Sequence, residues 1–104
     1  MKQGEIILIP FPFTDLSSKK TRPALIVSKQ NSAQGIIAVA ITSKESASCV
    51  KIDDESLIEG KLPIISYVRH DKVVTLHKSL VIKVVAQLKD NVLGEVVQKF
   101  KTQF

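Results

Sequence analysis

The segment Ile36-Ile37-Ala38-Val39-Ala40-Ile41 has an apolar residue at every position. A strand built from it therefore presents apolar side chains to both faces of its sheet, because successive residues point to opposite sides. A single sheet with one wetted side cannot hide such a strand. Closure into a small barrel, a packed helix or a partner subunit would each cover the second face. The remaining apolar residues are mostly Val and Ile in short runs. Expected strands are Glu5 to Phe11, Ala24 to Ser28, Ile36 to Thr42, Cys49 to Ile52, Ile64 to Val68, Val73 to Leu76 and Leu80 to Gln87. Polar clusters separate them at Thr14 to Lys20, Lys29 to Gly35, Lys44 to Ser48 and Asp53 to Lys61, with a tight turn at His77-Lys78. Within the fourth cluster, Asp53 to Gly60 can hold a helical turn contacted through Leu57 and Ile58.

The period changes at the end of the chain. Asp90 can cap a helix in which Val92, Leu93, Val96, Val97 and Phe100 fall on one stripe at three-and-four spacing. Gly94 inside that helix costs it about 1 kcal/mol relative to Ala. The 104 residues, 44% hydrophobic and 24% charged, suit one folded domain over 1–104. The longest apolar run, Ile6 to Phe13, contains two prolines and falls far short of the roughly 20 residues that cross a bilayer. With no signal-peptide layout at the N-terminus, a cytoplasmic protein with no membrane contact is expected. The single Cys49 has no internal disulfide partner and reads as a small buried apolar residue.

Several chemistries lack material. His70 and His77 are without flanking Cys or carboxylates at ligand spacing, so neither a metal nor another cofactor is expected. Gly4, Gly35, Gly60 and Gly94 are too scattered for a phosphate loop, and no serine nucleophile elbow is present. The net charge of +5 favours a polyanionic partner, though solubility alone explains such a charge equally well.

Two local features stand out. In Lys19-Lys20-Thr21-Arg22-Pro23, the proline holds Arg22 extended and removes a ladder donor, which predicts a strand start at a sheet edge or mouth. A guanidinium there suits a phosphate bidentately; a surface ion pair with Asp15 or Glu5 is the plainer alternative. In Ile41-Thr42-Ser43 an apolar strand ends in two hydroxyls, which either satisfy nearby backbone groups or donate to a ligand.

Gly4-Glu5-Ile6-Ile7, then Pro10-Phe11-Pro12-Phe13-Thr14-Asp15, then Lys20-Thr21-Arg22-Pro23-Ala24-Leu25-Ile26-Val27-Ser28 resembles the opening of PemK/MazF family toxins of type II toxin-antitoxin systems. The Ile41-Thr42-Ser43 element, the Ser66 to Thr75 stretch with Asp71-Lys72, and the Leu76 to Ile82 segment are similar to later family segments. The resemblance implies a mainly β fold with α, an SH3-like small barrel of about seven short strands plus a C-terminal helix. It further implies a homodimer whose groove holds single-stranded RNA and a metal-independent, sequence-specific endoribonuclease. Arg22 and Thr42 match the catalytic pair of such toxins. Ser17, Ser18 and Lys20 fall in the loop similar to the family's RNA-covering loop, here without glycine, and Ser43, Ser66, Asp71 and Lys72 would line the groove. A cognate antitoxin protein is implied as partner, with DNA contacted only through the toxin-antitoxin complex.

Two alternatives belong to other classes. CcdB-like gyrase inhibitors share the barrel but act through a tryptophan-bearing C-terminal tail, and this chain has no Trp and ends Lys101-Thr102-Gln103-Phe104. An inactive SH3-like binding module would want an aromatic-lined groove, for which 5% aromatic residues are thin material.

Overall fold

The structure is a computed structural model that describes residues 2–10, 21–29, 35–44, 49–62 and 65–102, the side chains of 70 and 71 excepted. Its strands are β1 (Glu5–Pro10), β2 (Thr21–Ile26), β3 (Gly35–Thr42), β4 (Val50–Ile52), β5 (Leu57–Gly60), β6 (Ser66–His77) and β7 (Lys83–Leu88), followed by helix α1 (Asp90–Thr102). All seven strands form one sheet in the order β4-β6-β3-β2-β1-β7-β5, with every pairing antiparallel.

The two edge strands of this sheet are neighbours in sequence. Only Asp53 and the 3-10 turn Asp54–Ser56 separate β4 from β5, so five Cα steps, at most about 18 Å, must link them. Laid flat, seven strands would hold their edges about 29 Å apart. The sheet must therefore curl, and the result is a half-barrel closed on one side by the helix, the mainly β architecture that the sequence predicts.

Each face of the sheet carries its own buried cluster, as the wholly apolar β3 requires. One face carries Ile6, Leu25, Val39, Ile41, Val50, Ile52, Val68 and Leu88, and α1 covers it through Val96, which is fully buried, with Val92, Leu93 and Phe100 beside it. The other face carries Ile7, Ile9, Ala24, Ile26, Ile36 and Ala38, packed by Val74, Leu76 and Val81. A helix thus serves one face, and the far half of β6 with the segment after it serves the other.

The structure departs from the sequence reading in several places, two of them small: β2 spans Thr21–Ile26 and not Ala24 to Ser28, and Asp90 lies in the first turn of α1. The stretch Asp53 to Gly60 holds a helical turn only over Asp54–Ser56, capped by Asp53, whose carboxylate accepts the Glu55 N–H at 3.0 Å while Ser56 Oγ accepts the Asp53 N–H at 3.2 Å. It then becomes strand β5, which is too short to display alternation. The two strands expected within Ile64 to Leu76 are one, because the ladder with β3 runs Tyr67 to Arg69, breaks, and resumes at Val73. The polar residues between are a bulge inside a strand, not a connection. The turn expected at His77-Lys78 is a 3-10 turn over Lys78–Leu80, into which His77 Nδ1 accepts the Ser79 N–H at 3.1 Å, so β7 begins at Lys83 and not Leu80. Cys49 is half-buried just ahead of β4 and not fully buried.

Helix α1 gives a direct stability test. Gly94 is exposed, and a Cβ placed there would meet nothing within 4 Å. Gly94→Ala is therefore expected to stabilise the fold by about 1 kcal/mol through helix propensity and a less free unfolded chain. Thermal melting followed by circular dichroism should rise by roughly 4–8 °C; an unchanged or lower midpoint would mean that the helix is not the regular element described.

Candidate functional site

The ladder between β2 and β3 pairs Ile26 with Ala38, Leu25 with Val39 and Ala24 with Ala40. Each antiparallel step lowers the β2 number by one and raises the β3 number by one. Continued two steps past the last pair, the same register would set Pro23 opposite Ile41 and Arg22 opposite Thr42. Pro23 has no N–H to extend the ladder, which ends at Ala24. Of the two expectations for Pro23, the sheet edge is excluded, since β2 is central, between β1 and β3. What Pro23 marks is a mouth, where paired strands part and leave the ends of β2 and β3 open.

The line continues across the sheet. Arg22 pairs with Ile9 on β1, Thr42 with Tyr67 on β6, and Tyr67 with Lys51 on β4. Residues directly opposite share a face, with Cβ atoms about 4.5–5.5 Å apart in regular pairs. The neighbours Ile41, Val50, Ile52 and Val68 all point into the helix-covered core. Arg22, Thr42, Tyr67 and Lys51 therefore stand in one row on the other face, with Arg22 and Lys51 exposed and Thr42 and Tyr67 half-buried. Arg69, opposite Ala40, stands one step behind the row on the same face and is also half-buried.

Thr42 Oγ1 accepts the N–H of Lys44 at 3.2 Å. That contact fixes the hydroxyl and leaves its O–H proton to be donated. Cationic groups flanking a fixed hydroxyl can hold a phosphate and neutralise charge that builds on it. The same face carries the opposite charge at its other end, where Glu5 and Glu59 both pair with Gln87 and line a shallow recess. Charge is thus segregated along this face, an arrangement that favours an anionic ligand at the Arg22 corner over the Glu5 end. Glu5, proposed above as an ion-pair partner, accepts the Lys2 N–H at 2.6 Å at that far end of β1. No group of three or more His, Cys, Asp or Glu side chains gathers among the described residues.

The other residues singled out in the sequence are dispersed. Ser43 is exposed in the bend after Thr42. Ser66 pairs with Ile52 and is 6% exposed, on the core face and away from the row. Lys72 is exposed in the break of β6, and Asp71 shares that break as a backbone position. Ser17, Ser18, Lys20 and Asp15 lie outside the described residues, as does the His70 side chain. The sequence reading missed Tyr67, Arg69 and Lys51. Alternation within Val50-Lys51-Ile52 and Ser66-Tyr67-Val68-Arg69 already turns them away from their buried neighbours, but only the pairing of β4, β6 and β3 brings them to Thr42.

Known proteins share the family signature and the fold of this chain. Residues 2–104 match the model of a family described as PemK-like, MazF-like toxin of type II toxin-antitoxin system. No curated protein matches the sequence. Similar solved structures include an endoribonuclease in complex with its cognate antitoxin from Mycobacterial species, at 17% identity and TM-score 0.75, covering 98% of this chain and 90% of that one. The Mycobacterium tuberculosis toxin MazF-mt6 is similar at 16% identity and TM-score 0.74, covering 94% and 93%. A MazE-MazF structure from Deinococcus radiodurans is similar at 19% identity and TM-score 0.70, covering 99% and 93%.

Proposed function

The chain belongs to the PemK-like, MazF-like family of toxins of type II toxin-antitoxin systems, and on that premise we propose that it is a metal-independent, sequence-specific endoribonuclease. Its substrate is single-stranded RNA, messenger RNA included, and the scissile phosphate lies between Arg22 and Thr42. The observation that supports this reading is the β2–β3 register, which, continued two pairs past Ala24 and Ala40, would bring Arg22 opposite Thr42 at the open ends of the strands.

The chemistry needs only the RNA and these side chains. The 2'-hydroxyl oxygen forms a bond to its own phosphorus, the bond from phosphorus to the 5'-oxygen breaks, and a 2',3'-cyclic phosphate and a 5'-hydroxyl result. The 2'-hydroxyl proton passes to a base outside this pair, and the departing 5'-oxygen takes a proton. Arg22 stabilises the negative charge that develops at phosphorus and, in the closed site, donates the proton that the leaving oxygen takes. Thr42 donates its O–H to a nonbridging oxygen, a bond worth most when charge there is greatest.

The same reading makes the protein a cytoplasmic homodimer restrained by a cognate antitoxin. The similar mycobacterial endoribonuclease and the Deinococcus MazF were both solved with an antitoxin bound. An acidic antitoxin segment laid along the basic row would compete with RNA for it, and contact with DNA would come only through that complex.

The test is incubation of the purified protein with mixed-sequence single-stranded RNA in excess chelator. Cutting should persist, with fragments that carry 5'-hydroxyl and cyclic phosphate ends. Loss of cutting on chelation, or 5'-phosphate products, would refute the mechanism.

A further inference from the structure

We infer that Tyr67 and Lys51 form a second subsite beside the scissile position, in which the Tyr67 ring stacks a base and Lys51 binds the next phosphate. Single-stranded RNA then crosses the strands from β2 towards β4 and does not run along them. This rests on the reading of Arg22 and Thr42 as the cleavage site.

The direction follows from what surrounds the row. Along β2 and β3 the face turns apolar behind Arg69, since Ala24 is 1% exposed and Ala38 is fully buried. A phosphate chain cannot follow it there without shedding its water. Towards β1 the row ends at Ile9, which is 6% exposed. Among the described residues it stays polar only towards β6 and β4, and β4 is the edge of the sheet, so nothing in the ladder blocks the exit. The spacing also fits. Two strand steps from Thr42 to Lys51 cover roughly 10 Å, which leaves room for one base between the two phosphates. Tyr67 stands midway, one step from Thr42.

The residue types match what a single strand demands. Base stacking on an aromatic face is the sequence-tolerant part of such sites, and a basic side chain tracks the backbone beside it. Tyr67 is the only tyrosine in the chain. It is half-buried, so the ring is held while an edge or face stays accessible. Lys51 stands between Val50 and Ile52, which both point into the core, so alternation along β4 turns it outward beside the ring.

The test uses the full-length protein and a short mixed-sequence single-stranded oligonucleotide with 2'-O-methyl sugars, which lack the attacking hydroxyl. Binding is read by fluorescence anisotropy over a range of salt, and cleavage of the unmodified RNA is measured in parallel. Tyr67→Leu should weaken binding about tenfold, while Tyr67→Phe, which keeps the ring, stays near wild type. Lys51→Met, at an exposed site, should lower the slope of log affinity against log salt by about 0.7, the share of one released counterion on a single strand. If the wild type cuts RNA while Tyr67→Leu and Lys51→Met bind it unchanged, this subsite is wrong and the cleavage site stands. If the wild type neither binds nor cuts, the ribonuclease reading falls and takes the subsite with it. If Tyr67→Leu weakens an acidic peptide but not RNA, the row serves a protein partner and the inference is overturned.

Discussion

Arg22→Ala should fold normally and lose cleavage by at least a hundred- to a thousandfold, the usual cost of removing one preorganised donor from a charge-stabilising site. Normal folding is expected because Arg22 is exposed, beyond the last ladder pair of β2 with β3, and outside both cores. Arg22→Lys should recover only part of the activity, since an ammonium keeps the charge but not the planar fork that grips two phosphate oxygens. Thr42→Val removes the hydroxyl at nearly constant shape and should cost less than Arg22→Ala, while Thr42→Ser should restore most of the rate. Part of the Thr42→Val effect is structural, because the hydroxyl also receives the Lys44 N–H. The double variant separates the two roles. If both groups act on one phosphate, the loss in Arg22→Ala/Thr42→Val falls well short of the product of the single losses. Independent, multiplying losses would argue that the pair does not share a phosphate, and full cutting by Arg22→Ala would remove the mechanism outright.

The placement of this pair shows which part of the molecule is readable from sequence. Strand β3 was legible because six consecutive apolar residues leave few other options, and its two-faced burial follows from the same fact. Helix α1 was legible because Val92, Leu93, Val96 and Phe100 keep one period and meet one core. Strand β5 was not, because four residues carry too little alternation and its polar flanks look like a loop. The bulged β6 was misread for a related reason: a polar interruption has the same composition whether the chain turns back or merely skips the ladder. The row at the site was half legible. Arg22 and Thr42 draw notice through the neighbouring proline and the strand-end hydroxyl but are joined as a site only by the family resemblance, whereas Tyr67 and Lys51 are unremarkable until β6 lies between β3 and β4. Ser66 shows the converse. Its segment resembles a groove-lining one, yet its position opposite Ile52 turns it into the core. Strand order and register depend on side chains far apart in the chain, and no local pattern encodes them.

Closure of the half-barrel rests on one such distant contact, and Gly60→Ala should expose it. Gly60 has φ +84°, and a Cβ there would lie 2.2 Å from the backbone oxygen of Val85 and 2.7 Å from the Ala86 Cα. Both obstacles are backbone, so no rotamer change relieves them. The edge strand β5 would have to draw away from β7, losing the pairing of Gly60 with Ala86 and of Glu59 with Gln87. Strain at a left-handed residue and overpacking each cost about 1–3 kcal/mol, so a destabilisation of at least about 2 kcal/mol is expected. That lowers the melting temperature on the order of 10 °C or more. Gly4 is the control. It has φ +95°, but its added Cβ would meet the end of the Leu93 side chain at 3.1 Å, a group that can swing aside, so Gly4→Ala should cost clearly less. The site should be spared in both, because β1 and β7 separate β5 from β2 and the Arg22 row lies at the far end of the sheet face. At a temperature where Gly60→Ala is still folded, its cleavage rate per folded molecule should equal that of the wild type. A wild-type melting midpoint for Gly60→Ala would mean that β5 does not pack on β7 as described. A lower rate in fully folded protein would mean that closure of the sheet and geometry at Arg22 are coupled.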